Sequence, residues 1–344
     1  MSITAVNLSL PKIPLGMQAT SKENYNYQKI IAVVAVSLFV IKFIAWYITG
    51  SIAIFTDAME SIVNVIGGFV GLYSLYLSSL PKDRNHPYGH GKVEFISAGI
   101  EGALITIAGV AIIYKSVNAL FNPTPLAQLD YGIYLVLFSA IVNYVIGSIA
   151  VKRGKKNSSL ALVASGKHLQ SDTYTTVGII VGLVILKFTG LAWLDATTAI
   201  IFALLIIYQG IKIVRHALAG IMDEADMKLI EELVEHLNQH RHRQWVDLHN
   251  LRIVKYGAVY HIDCHLTVPW YITVKEAHYE ANALECLAFE KYGEQVEFSV
   301  HIEDCHAKAC PICEVESCQN RQSELRKRVE WTAENVSSSK RHHP

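Results

Sequence analysis

Glu60 and Asn64 stand four residues apart in one long apolar stretch, and His168 and Asp172 stand four apart at the mouth of another. Four residues is just over one helical turn, so each pair shares one helix face. Carboxylate, amide, imidazole and carboxylate turned toward a common point supply the oxygen and nitrogen ligands of a divalent cation. Ionisable groups at membrane depth are costly and mark ion pathways. Hydrogen bonding between helices is the competing use, but it does not call for two acids and an imidazole together. Asp57, three residues before Glu60, adds an acid one turn earlier, as a helper ligand or a proton acceptor.

The elements that must position these residues are apolar. With 344 residues, 51% hydrophobic and 17% charged, the chain is too oily for an ordinary soluble domain. Six apolar segments can be traced, Ile30–Thr49, Ser51–Leu80, Ser97–Leu120, Tyr131–Val151, Leu160–Lys187 and Leu191–Ile213. Each reaches the roughly 20 residues that a helix needs to cross the hydrocarbon core. Basic residues sort by loop: Lys82, Arg84 and Lys92 follow the second segment, and Lys152, Arg153, Lys155 and Lys156 follow the fourth. The intervening turns hold only Lys187. The positive-inside rule then puts both termini and both basic loops on the cytoplasmic side of a multi-pass protein of the cell membrane. Residues 1–29 carry Pro11 and Pro14 and no apolar h-region, so they do not read as a cleavable signal peptide. A formal net charge of zero gives no basic field for nucleic acid.

Beyond Arg215 the pattern is that of a small αββαβ domain. Helices are expected over Asp226–His240 and Val274–Tyr292, and strands over His249–Lys255, Val259–Val268 and Gln295–Ile302, with a turn at Tyr256-Gly257-Ala258. Asp83, His86 and His90, between the second and third segments, have ligand chemistry for one cation or belong to a solvated loop. All six cysteines follow the last apolar segment, where a reducing compartment disfavours disulfides. Cys305, Cys310, Cys313 and Cys318 follow C-x4-C-x2-C-x4-C beside His306, a spacing open to a metal site or to free thiols. After them a charged, helical tail is expected to fray at 337–344.

Taken together, Gly50-Ser51 leading into Thr56-Asp57-Ala58, Glu60-Ser61-x-x-Asn64, His86-Pro87-Tyr88-Gly89-His90-Gly91-Lys92-x-Glu94 and His168-x-x-Ser171-Asp172 carry a resemblance over residues 27–304. The chain resembles the cation diffusion facilitator, or cation efflux, family of proton-coupled divalent-metal exporters. The resemblance implies a transport site at Glu60, Asn64, His168 and Asp172, with Asp57 nearby. Most members have Asp or His in place of Glu60 and Asp in place of Asn64, so this site carries less negative charge and one longer arm. Zinc is the family default; iron, manganese, cobalt and cadmium are the alternatives. The resemblance further implies a metallochaperone-like module that forms homodimers, with cytosolic metal positions at His249, His265, His278, His301 and Glu303. It also implies a Lys92–Asp223 ion pair holding loop and soluble domains across the dimer. The implied division is an N-terminal segment (1–28), a six-helix membrane domain (29–216), a dimerisation and metal-binding domain (217–304) and a cysteine-containing tail (305–344).

The expected activity is efflux of a divalent cation across the bilayer in exchange for protons, not an enzymatic one. An intramembrane metalloenzyme would need an open ligand position and a general base, and neither H-E-x-x-H nor a G-x-S-x-G elbow around Ser171 is present. A metal sensor would leave the Glu60, Asn64, His168 and Asp172 set unexplained.

Overall fold

The computed structural model describes residues 15–342, apart from 79, 122–127, 157–159, 192, 257–258 and 294–295. It divides into two units: residues 1–72 with 98–215, and residues 73–97 with 216–344.

The first unit is built on six helices long and apolar enough to cross a membrane. They are α1 (Leu15–Thr49), α2 (Ile52–Ser78), α3 (Val93–Phe121), α4 (Leu129–Lys156), α5 (Leu160–Thr189) and α6 (Trp193–Ile221). Large apolar side chains such as Val33, Phe69, Tyr114, Val181 and Ile211 are exposed, a surface suited to lipid rather than water. α1 starts well before the expected Ile30. The polar lead-in holds Gln18, Ala19, Lys22 and Glu23, all good helix formers, so helicity outruns hydrophobicity there. Gly50 closes α1 in the left-handed region (φ 66°), its N–H donating to the Trp46 carbonyl at 2.8 Å. α4 and α5 meet at Gly147 and Gly166, where an added Cβ would stand 2.7 Å and 2.6 Å from the facing carbonyl oxygen. Small residues let two membrane helices approach closely, and this contact lies two residues before His168.

The second unit contains α7 (Met227–Gln239), β1 (Asp247–Tyr256), β2 (Val259–Val268), α8 (Val274–Tyr292) and β3 (Val296–Asp304). A 3₁₀ turn (Ala307–Ile312) and the short α9 (Ala333–Val336) follow. The sheet runs β1-β2-β3, with β1 antiparallel and β3 parallel to β2. A parallel neighbour needs a crossover, and α8 supplies it. Asp226 caps α7, and Thr273 with Glu276 forms a capping box on α8. Ile230, Leu233, Val234 and Leu237 of α7 are buried with Leu284 and Ala288 of α8 against Leu248, Ile262 and Leu266 of the sheet. The turn residues 257–258 fall outside the described residues.

The tail departs from the expected charged helix. Between the 3₁₀ turn and α9 it is a loop with turns at 316–317 and 319–320 and then a run without helix, and Val329, Trp331 and Ala333 pack against the core at every second residue. That alternation has the period of an extended strand, not of a helix. Nor does the end hang loose through 342. Arg341 binds Glu303, and the His342 backbone N–H donates to Asp247 at 3.1 Å.

Candidate metal centres

The membrane site starts from the way α2 begins. Asp195, in the first turn of α6, accepts from Ser51 Oγ at 2.6 Å and from the Ile52 backbone N–H at 2.7 Å. A buried acid thus caps α2 from another helix and sets the phase of the turns that carry Asp57, Glu60 and Asn64. On the facing helix, the Asp172 carboxylate accepts from Asn64 Nδ2 at 2.9 Å, and Thr175 Oγ1 lies 3.5 Å from Glu60. His168 Nε2 lies 3.8 Å from Asp172, on a half-exposed ring. Asn64, His168 and Asp172 line two cavities of about 160 and 150 Å³; Glu60 lines the second, together with Glu101 and Gln209. Among the described residues, Glu60, His168 and Asp172 are not drawn within 4.8 Å of one another.

Asp57 is placed differently from the ligands. Its Oδ1 accepts from Lys42 Nζ at 2.9 Å and from Thr176 Oγ1 at 2.7 Å, with both charged side chains almost fully buried. That engagement makes Asp57 the counter-ion of Lys42, while its Oδ2 is buried with no hydrogen-bond partner. Lys42 is absent from the expected site, yet it is the one charged residue in the first apolar stretch, a signal that an acid must meet it.

Two groups in the second unit do bring three ligand atoms within 4.8 Å of one another. In the loop before α3, Asp83 Oδ1 lies 3.1 Å from His86 Nδ1, and Asp83 Oδ2 lies 3.3 Å from His90 Nε2. The Asp83 carboxyl is held below its ordinary value, chiefly by the His86 backbone N–H. On the sheet, strand register places His249 opposite His265, and His265 opposite His301. His265 Nδ1 lies 3.0 Å from Glu303 Oε1, and His249 Nε2 lies 3.5 Å from Glu303 Oε2. Two imidazoles and a carboxylate so gathered suit a divalent cation. His301 stands beside the group, its ring centroid 4.7 Å from that of His265, without joining it. His278 does not join either: it lies on the exposed face of α8 beside Asn282. Lys92 and Asp223 do pair, at 2.9 Å, within a single chain.

A family model for the cation efflux transmembrane domain matches residues 29–222, and one for the cation efflux cytoplasmic domain matches residues 225–305. This chain is a cation diffusion facilitator. An uncharacterised transporter of Synechocystis is 32% identical over 247 residues, covering 72% of this chain and 80% of that protein. The manganese efflux system protein MneP of Bacillus subtilis is 26% identical over 262 residues, covering 73% and 86%. The cation-efflux pump FieF of Salmonella newport is 25% identical over 270 residues, covering 75% and 85%. The family consists of membrane transporters, not enzymes.

Around the facilitator's sheet cluster, several groups that the sequence did not single out govern the charge. Arg341 donates through Nε to Glu303 Oε2 at 2.7 Å. Burial alone would raise the Glu303 carboxyl, but Arg341 and His265 hold it below the ordinary range. Asp247 lies behind His249 and binds His342 Nδ1 at 2.5 Å; despite burial, His249 and His342 hold its carboxyl far below the ordinary range. Asn250, in a bulge with φ 53°, brings its amide nitrogen 3.0 Å from His265 Nε2. The four tail cysteines of the facilitator, Cys305, Cys310, Cys313 and Cys318, line one cavity of about 230 Å³ with His306.

Proposed function

We propose that this facilitator exports a divalent transition-metal cation from the cytoplasm in exchange for protons, through Glu60, Asn64, His168 and Asp172. The observation that carries the reading is the Asn64–Asp172 hydrogen bond, which joins the polar faces of α2 and α5 between two cavities. Charge adds support. Lys42 pairs with Asp57, which leaves the Glu60 and Asp172 carboxyls to the cargo. One divalent cation or two protons satisfies both carboxyls. Metal ligation requires deprotonated ligands, so the two cargoes compete for the same atoms. Metal bound from the cytoplasm is displaced by protons once the site opens to a more acidic exterior.

Zinc is the first choice of cation, as the family default. Manganese is the second reading. Asn64 offers an amide oxygen where most members place a carboxylate, and hard oxygen ligands suit manganese; one relative is named as a manganese efflux protein. The chain works as a homodimer in the cell membrane, with both termini in the cytoplasm. On this reading its segments are 1–28, the membrane domain 29–216, the dimerising domain 217–304 and the tail 305–344. The Asp83–His86–His90 and His249–His265–Glu303 groups hold further cations on the cytoplasmic side.

The test is Asp172→Ala in proteoliposomes. Metal uptake driven by a pH gradient is abolished while the variant still elutes as a folded dimer. Transport at the wild-type rate refutes the site.

A further inference from the structure

The second unit carries one set of metal-ligating side chains that the transport reading does not use. Cys305, Cys310, Cys313 and Cys318 come from three differently anchored pieces of chain. Cys305 directly follows β3, and its N–H donates to the Val268 carbonyl at 2.9 Å, so it is fixed to the end of the sheet. Cys310 and Cys313 bracket the Pro311-Ile312 step of the 3₁₀ turn, closed by a bond from the Cys313 N–H to the Cys310 carbonyl at 3.3 Å. Cys318 lies on the return loop. One side chain holds that loop in shape: the Arg321 guanidinium donates to the carbonyls of Cys310, Cys313 and Val315 at 3.1, 3.0 and 2.8 Å.

One of the four sulfurs meets a backbone hydrogen-bond donor. The Gln322 N–H donates to Cys310 Sγ at 3.5 Å. A neutral thiol is a weak acceptor that needs no such donor, whereas thiolates bound to a metal are oriented and stabilised by them. The other two cysteines lie apart from the cavity that the four line, Cys264 being buried in the sheet core and Cys286 exposed on α8.

We propose that Cys305, Cys310, Cys313 and Cys318 form a closed tetrathiolate site for one Zn²⁺, separate from the His249–His265–Glu303 group, that fastens the tail to the soluble domain. Four thiolates and no open position are the donor set of a structural zinc site. Zn–S bonds of about 2.3 Å set the sulfurs about 3.8 Å apart in a tetrahedron. Among the described residues no three of these sulfurs lie within 4.8 Å of one another. Binding therefore draws the return loop inward, into the cavity that the four already line, and releases the thiol protons to solvent. Beyond the loop the chain runs to Trp331, α9 and Arg341, so the zinc sets the starting point of the segment that ends on Glu303.

The test uses the reduced full-length protein in detergent and Co²⁺ as a spectroscopic probe. Sulfur-to-cobalt charge transfer reports thiolate ligation, and histidine–carboxylate sites do not produce it. The expected result is one equivalent of Co²⁺ with that band, displaced by Zn²⁺. Cys310→Ser with Cys313→Ser abolishes the band, and Cys264→Ser with Cys286→Ser leaves it unchanged. A second measurement needs no variant: iodoacetamide labelling mapped by mass spectrometry, with Zn²⁺ present or chelated. Zinc protects the four tail cysteines at least tenfold and leaves Cys286 reactive. No thiolate band in the reduced protein, a band that survives the tail substitutions, or equal labelling with and without zinc overturns the site. Neither readout depends on transport, so failure here leaves the transport reading standing.

Discussion

One carboxylate beside the proposed transport ligands and one within the sheet cluster are each held by a lysine or arginine of the same chain, and the two pairs differ in what the cation can do. Lys42 binds Asp57 with side-chain exposures of 2% and 1%, next to the proposed ligands but not on one of them. Arg341 binds Glu303 with exposures of 25% and 15%, on a proposed ligand itself. Separating a buried pair strands a charge away from water, so Lys42 is a fixed part of the membrane site. A partly exposed arginine at the end of a tail is displaceable at little cost. The first cation sets the charge of a site; the second competes for one.

The largest effect follows from breaking the buried pair. Lys42→Met strands Asp57 and costs about 3–5 kcal/mol of stability, and adding Asp57→Asn recovers most of it. Thermal unfolding in detergent of both variants checks this, and equal losses in the single and double variants would break the comparison. Next, Asn64→Asp adds a negative charge to the ligand set. It shifts the ratio of zinc to manganese transport on the order of tenfold, read from competition uptake in vesicles. An unchanged ratio removes Asn64 from the ligands.

Arg341→Ala is a smaller change, because a pair of this exposure is worth about 0–1 kcal/mol. It strengthens cation binding at His249, His265 and Glu303 by up to about fivefold, measured by calorimetry in an Asp172→Ala background. Weaker binding in that variant would make Arg341 a support rather than a competitor. The smallest effect is on pH. The Asp247 and Glu303 carboxyls lie below their ordinary values in the folded chain. Their contribution to stability is therefore full above an ordinary carboxylate pKa of about 4 and is lost as pH falls through the lower folded values. Denaturation of the soluble unit, followed by tryptophan fluorescence across this range, checks it, and Arg341→Ala narrows the loss.

How much of this was legible in the sequence depended on how local each signal was. The helical spacing of Glu60 with Asn64 and of His168 with Asp172 fixed shared faces, because a four-residue period survives any packing. Lys42 was visible as a lone base among apolar residues, but its partner Asp57 depends on how α1 meets α2, which no local pattern encodes. The same holds for Asp195 capping α2 from 143 residues away. In the tail, the alternation of Val329, Trp331 and Ala333 was there to be read, and the surrounding charges concealed it. Arg341 and His342 gave no local sign of their partners. Glu303 and Asp247 lie 38 and 95 residues away and are reached only because the tail wraps the sheet. His278 and His301 share residue type with the sheet cluster, but in one chain neither joins the ligand group, and a sequence match alone does not report that.

The most direct measurement counts protons against metal. Proteoliposomes holding a pH indicator and a metal indicator are given a divalent cation under an imposed pH gradient. With Lys42 cancelling Asp57, the account predicts about two protons moved per cation, and neither flux in Asp172→Ala. Metal entry with no proton counterflow, or both fluxes intact in Asp172→Ala, contradicts it.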